Sequence, residues 1–310
     1  MNDDSNETYI TLDGYVEVHR YRYLFFVVML TAYILVLLFN SAVVCVTWIH
    51  KNLHEPMYIF IAALLFNSVL FSTVIYPKLL IDFLSEKQII SHSACLCQVF
   101  LFYSLGGSEF LLLAAMSYDR YVSICKPLQY PAIMRKTTVI CLLLLAWLLP
   151  ACQLLGFTVH YAQQQLCSFT LRGIYCNNSN VKLYCVLSRV KSLYGLVVLF
   201  NVALLLLFFI FFTYSRIFLV SYRSYGAVRK KAAETCLPHL MALISIFCFS
   251  VYDAVVIRLE NDLPKTAGFV MSFQLVLYHP LFNPLMYGLK MKEISKHLKR
   301  LLWRRSLCLS

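Results

Sequence analysis

Residues 95–124 read CLCQVFLFYSLGGSEFLLLAAMSYDRYVSI. A hydrocarbon core about 30 Å thick takes roughly 20 mostly apolar helical residues. This stretch is long enough to cross it, and between Gln98 and Asp119 its only charged side chain is Glu109. An ionisable group at mid-bilayer costs roughly 2.5–3.5 kcal/mol on insertion scales, so one that is present points to a function. Phe102, Gly106, Glu109, Leu113, Met116 and Arg120 fall close to one helical face. At 1.5 Å per residue, Glu109 stands roughly 16 Å from Arg120. An aromatic, a buried acid and an inner basic residue therefore share a stripe.

Six more stretches of this kind flank it: Tyr23–Ile49, Met57–Phe83, Val139–Val159, Leu193–Val220, Ala232–Val256 and Thr266–Leu289. The composition agrees. The 310 residues are 60% hydrophobic and only 14% charged, with a mean hydropathy of +0.70. A soluble domain carries about 25% charged residues, so this chain has too little polar surface to cover a globule in water. The expected fold is all-α, a seven-transmembrane helix bundle. Residues 1–22 form an outer tail, 23–289 the membrane domain and 290–310 an inner tail.

The net charge of +12 does not mark a nucleic-acid protein, because the basic residues sit in short runs between apolar spans. With the N-terminus outside, the inner segments carry one, four and five Lys or Arg in chain order, and the tail carries seven. That places 17 of the 27 on the inner side, as the positive-inside rule requires. Arg229, Lys230 and Lys231 are expected to hold that face at the membrane. The first 19 residues are polar, so the first span is expected to serve as an uncleaved insertion signal. Asn6-Glu7-Thr8 is a glycosylation sequon in this outer tail. A second, Asn177-Asn178-Ser179, directly follows Cys176, where crowding opposes modification. In the inner tail, Ile294, Leu298, Leu301 and Leu302 recur at helical spacing among basic residues. This fits a short amphipathic helix on the lipid surface.

Four motifs then fall at fixed ends of the spans. Leu53-His54-Glu55-Pro56-Met57-Tyr58 opens the second, and Met116-Ser117-Tyr118-Asp119-Arg120-Tyr121-Val122-Ser123-Ile124-Cys125 closes the third. Lys231-Ala232-Ala233-Glu234-Thr235-Cys236-Leu237-Pro238-His239-Leu240 opens the sixth, and Pro280-Leu281-Phe282-Asn283-Pro284-Leu285-Met286-Tyr287 closes the seventh. They resemble the odorant-receptor forms LHxPMY, MAYDRYVAIC, KAxSTCxxHL and PxxNPxxY. The chain from about Tyr23 to Leu302 resembles a rhodopsin-type (class A) G-protein-coupled receptor of that group, with Glu55 and the second span closer to its fish branch. Departures are Phe39 before Asn40, Asn67-Ser68 where many members carry an Asp, Pro238 within the sixth-span motif, and Phe247 in place of Tyr.

The resemblance implies disulfides Cys95–Cys176 and Cys167–Cys185, on an outer side that permits them; spacing alone leaves the connectivity open. It implies a latch in which Asp119 holds Arg120 until a G protein meets the arginine, with Tyr121, Tyr214, His239, Asn283, Pro284 and Tyr287 in the switch. Pro280 and Pro284 each remove a backbone donor, and the freed carbonyls need polar partners such as Asn283 or water. Glu109, in Gly106-Gly107-Ser108-Glu109, matches the acid that shares a sodium ion with the second-span Asp in that family. Ser68 stands near the missing Asp, so a weaker ion site with Asn40 and a neutral, hydrogen-bonded acid are both open.

By the same alignment the ligand site is lined by Phe102, Tyr103, Gly106 and Gly107, by Val198 and Val202, by Ser250, Val251 and Ala254, and by Phe273 and Gln274. Gly106-Gly107 leaves room for a ligand or for a close helix. The implied function is odorant sensing that activates a stimulatory G protein and raises cyclic AMP. Its setting is the plasma membrane, among membrane lipids and with a trafficking chaperone. Two other readings stand beside it: a non-olfactory chemosensory class A receptor, and a transporter or channel. The latter calls for internal repeats and several pore-facing charges, neither of which is seen. An enzyme is not expected, since catalysis needs paired groups at matched depth.

Overall fold

The computed structural model describes residues 8–185, 205–222, 226–259, 264–291, 293–297 and 299–300. Among these lie seven long helices: α1 Val18–Ile49, α2 Pro56–Leu84, α3 His92–Cys125, α4 Lys136–Ala162, α5 Leu205–Tyr222, α6 Gly226–Leu259 and α7 Lys265–Lys290. Each overlies one of the expected spans. The first four are long and apolar enough to cross a membrane, and α5 and α6 carry the shorter apolar runs Leu207–Tyr222 and Cys236–Tyr252.

Burial sorts the helices by place. In the most apolar window of α3, 72% of residues are buried, against 17% in α4. α3 is the axis of the bundle and packs on α2, α4, α5 and α6. α4 presents Ile140, Leu144, Leu145, Leu148, Leu149 and Leu155 on its exposed side. In water such a face would be an aggregation surface; in a bilayer it is the side that meets lipid.

The helices pack around two main apolar clusters. The inner one joins Phe60, Ile61 and Leu64 of α2 to Leu112, Leu113 and Met116 of α3 and Tyr287 of α7. Ile294, fully buried, closes it from below. Residues 293–297 are helical, and they are fastened by the stacking of His297 on His50 (3.9 Å between ring centroids). The expected inner-tail helix is thus partly seen, with its first apolar residue packed on the bundle; Leu298, Leu301 and Leu302 lie outside the described residues. The outer cluster is aromatic, with Phe25, Phe83, Phe269 and Phe273 in mutual ring contact between α1, α2 and α7.

The outer end carries a small sheet. Strand β1 (Tyr9–Leu12) pairs antiparallel with β2 (Ile89–Ser91) and parallel with β3 (Thr170–Leu171). The tail therefore contains a strand, and α1 starts at Val18, before the expected Tyr23. Gly14 lies against the backbone of Gly173, where a Cβ would come within 2.5 Å of a carbonyl carbon, so only glycine permits this crossing. Both disulfides, Cys95–Cys176 and Cys167–Cys185, are formed.

Candidate functional site

Two prolines in α7 set the middle of the bundle. Pro280 has no N–H to give Val276, and Pro284 has none to give Pro280. The Tyr76 hydroxyl donates to the carbonyl of Val276 (3.1 Å), and the Asn40 amide donates to that of Pro280 (3.3 Å). The partners of the freed carbonyls are thus Tyr76 of α2 and Asn40 of α1, and not Asn283 as the sequence suggested. Asn283 points the other way, because a side chain at the next position leaves the helix on a different face.

Asn283 donates to Glu109 Oε1 (2.6 Å) and lies 3.4 Å from the Ser68 hydroxyl, which itself donates to the Leu64 carbonyl. Glu109 is 1% exposed. Asn67, beside Ser68, is occupied elsewhere: it donates to the Leu105 carbonyl and accepts from the Trp147 indole. Asn40, taken up by α7, does not join Glu109. A cation cage needs several oxygens turned inward. This cluster offers one carboxylate, which accepts an amide proton, and a hydroxyl whose proton goes to a carbonyl. The described contacts are those of a hydrogen-bonded buried acid.

At the inner end of α3, Arg120 Nε donates to Asp119 Oδ2 at 3.0 Å, and a terminal guanidinium nitrogen pairs with the same oxygen. The other carboxylate oxygen accepts from the Tyr130 hydroxyl (2.8 Å). Burial, and then the adjacent carboxylate, push the Tyr130 phenol up, which keeps it a donor. Asp119 is fully buried and Arg120 nearly so. Around them sit Tyr214 of α5, His239 of α6 and Tyr287 of α7, whose ring is 5.6 Å from that of His239. Among the described residues, the hydroxyls of Tyr214 and Tyr287 and both nitrogens of His239 have no hydrogen-bond partner. Tyr121 is half-buried and takes Lys126 over its ring.

At the outer end, Phe102 stacks on Tyr175 of the long connection (5.4 Å) and meets Phe71 (4.9 Å) and Tyr103 (4.9 Å). Among the described residues, a Cβ at Gly106 would meet nothing within 4 Å. Gly107 is buried. Gln274 accepts from the Tyr252 hydroxyl (3.3 Å). Phe273 belongs to the same apolar cluster as Phe102, but its described ring contacts are with Phe25 and Phe269. Ser250 and Val251 are exposed on α6. Val198, Val202 and Asn6 lie outside the described residues, as does the Ala254 side chain.

Sequence reading missed Ile174, Tyr175 and Tyr252, which share this cluster. A signal existed for Tyr175, since the residue before Cys176 must follow the bridge to α3. In the second sequon the buried Asn177 side-chain oxygen Oδ1 accepts from both the amide and the hydroxyl of Ser179.

The family model that matches residues 28–305 is described as "Olfactory receptor". The chain is 35% identical to the chicken olfactory receptor-like protein COR2, over 95% of each chain. It is 31% identical to human olfactory receptor 4E1, over 98% of this chain and 96% of that one. Mouse olfactory receptor 4M1 is 29% identical over 99% of this chain and 98% of its own.

Proposed function

Because the chain belongs to the olfactory receptor family, we propose that its odorant sits in the outer half of the bundle, against Phe102, Tyr103, Tyr175 and the open side of Gly106. The protein is an odorant-sensing G-protein-coupled receptor with a seven-transmembrane helix bundle, not an enzyme. The observation that carries the site is the division of α3 along its length. It bears the aromatic contact with Tyr175 at one end and the Asp119–Arg120–Tyr130 latch at the other, with the Glu109–Asn283 bond between them. A small, mostly neutral ligand suits this lining, since pockets take most of their affinity from apolar contact and their orientation from a few polar groups. Tyr103, Tyr252 and Gln274 supply those groups.

The described arrangement is the resting one. Unpaired buried polar groups cost about 1–3 kcal/mol each, so a packing in which Tyr214, His239 and Tyr287 gain partners is a close competitor. An odorant that binds that packing better shifts the population toward it. Arg120 then leaves Asp119, the inner ends of α3 and α6 separate, and a stimulatory G protein docks and raises cyclic AMP.

The receptor works in the plasma membrane with its N-terminus outside. Beside the distribution of Lys and Arg, β1 of the N-terminal tail pairs with strands next to both disulfides, and disulfides belong to an oxidising compartment. Asn6 carries a glycan there, the basic inner tail contacts anionic lipid, and a trafficking chaperone assists passage to the surface.

Cyclic AMP is measured in cells that co-express the chain and an olfactory-type stimulatory G protein, across an odorant panel. A dose-dependent rise, lost in Arg120→Ala at equal surface level, is expected. A response that survives Arg120→Ala would remove the latch from the mechanism.

A further inference from the structure

Residues 8–17 are built into the outer end of the bundle. Three backbone amides of this segment donate to the long connection: Thr11 to Phe169, Asp13 to Leu171 and Gly14 to Gly173. Leu12 donates to Gln88 on the other side. Ile10 and Leu12 are buried in an apolar cluster with Cys95 and Cys176. The Gly14–Gly173 crossing then delivers Tyr15 inward. Its ring packs on Phe83 (5.7 Å) and Phe269 (6.3 Å). Its hydroxyl lies 3.1 Å from the buried Asp82 carboxylate and 3.0 Å from the Ile174 carbonyl, and donates to both.

Ile174 directly precedes Tyr175, the residue stacked on Phe102. After Tyr175, the Cys176 amide donates to Gln98 (2.8 Å), and its sulfur is bridged to Cys95. Tyr175 is therefore tied to α3 on one side through Cys176, and on the other it follows Ile174, whose carbonyl Tyr15 holds. Asp82 is itself held by Lys78, one turn earlier on α2. Burial, and then the Asp82 charge, push the Tyr15 phenol up, so it remains a donor.

We propose that Tyr15 of the N-terminal tail is a positioning residue for the odorant site, setting Tyr175 over Phe102 through its shared hydrogen bond to Asp82 and the Ile174 carbonyl. The tail is thus a wall of the receptor rather than only a carrier of a sequon. This rests on the outer half being the odorant site. The phenol ring supplies packing and the hydroxyl supplies register, so Tyr15→Phe separates the two: it keeps the ring contacts and releases Ile174.

The test uses the full receptor in cells, with surface biotinylation to match levels and a panel of volatile ketones, aldehydes, esters and aromatic ethers as probes. Tyr15→Phe is expected to lower agonist potency by roughly tenfold, the scale of a lost hydrogen bond. Basal and maximal cyclic AMP stay unchanged, and the order of agonists alters. In a Tyr175→Ala background, Tyr15→Phe should do nothing more, because acting through a shared residue makes effects non-additive. Wild-type potency for every active odorant in Tyr15→Phe, or simple additivity with Tyr175→Ala, would overturn the proposal.

Should the wild type answer no odorant, the functional reading is what fails. Hydrogen exchange on the purified receptor then decides the positioning separately. Faster exchange at residues 11–14 and 173–176 in Tyr15→Phe supports it, and unchanged exchange there overturns it.

Discussion

The two ends of the bundle are built to opposite rules. At the outer end, ring packs on ring between α1, α2 and α7, three chain segments share a sheet, one disulfide ties the long connection to α3 and a second closes a loop within it. At the inner end, a buried ion pair and one tyrosine hold α3, while the buried hydroxyls of Tyr214 and Tyr287 and both His239 nitrogens have no hydrogen-bond partner among the described residues. The outer end, cross-linked and paired strand to strand, has little freedom to move, although Asn180 of its connection is buried with both amide atoms unpaired among the described residues. The inner end, with its unpaired groups, has an alternative packing within a few kcal/mol, which a switch requires. In the function proposed, recognition belongs to the fixed end and signalling to the tense one.

The largest effect should come from breaking the fixed end. Cys176→Ser removes the bridge between α3 and the connection, a loss of about 2–5 kcal/mol; surface biotinylation should show most of the receptor retained inside the cell. Next comes the tense end. Asp119→Asn weakens the buried pair, and removing a partner from such a pair costs about 3–5 kcal/mol. This cost falls on the resting packing, so basal cyclic AMP should rise several-fold without odorant. Tyr130→Phe removes one hydrogen bond to the same carboxylate, worth about 0.5–1.5 kcal/mol, and should raise basal signalling by less.

Gly106→Leu sharpens the contrast, because it fills open space without disturbing a described contact. Surface level should hold while odorant response falls by an order of magnitude or more. A retained response would place the ligand elsewhere.

The smallest effect is one of pH. His92 sits at the start of α3, with Nε2 3.0 Å from the Tyr184 hydroxyl. Burial lowers its pKa from the ordinary 6.5. The unfolded chain therefore binds its proton at a higher pH than the folded one does. The stabilising contribution is complete above pH 6.5 and declines as pH falls from there toward the lower folded value. Thermal melting should show a mild loss of stability on acidification, reduced in His92→Asn.

The helices were legible because a run of about 20 apolar residues has few other fates. The grouping of Asp119, Arg120, His239 and Tyr287 at the inner end was legible through their motifs, and the two bridges through the resemblance that those motifs carry. The outer sheet was not, since strands of two to four residues are too short to show alternation. Tyr15 and Tyr175 lie in polar segments whose contacts are set by a disulfide and a glycine crossing, neither of which leaves a periodic trace. The pairing of Tyr76 and Asn40 with the freed carbonyls of α7 required knowing which faces of three helices meet. Without that knowledge, the sequence reading placed Asn40 beside Glu109 and Asn283 on the freed carbonyls, the reverse of the observed pairing.

The division between the ends is tested most directly by hydrogen exchange on the purified receptor, with and without an agonist found in the odorant panel. Amides at the inner ends of α3, α6 and α7 should exchange faster with agonist, while residues 11–14, 89–91 and 169–176 stay protected. An outer sheet that opens on activation, over an inner end that does not change, would contradict the division.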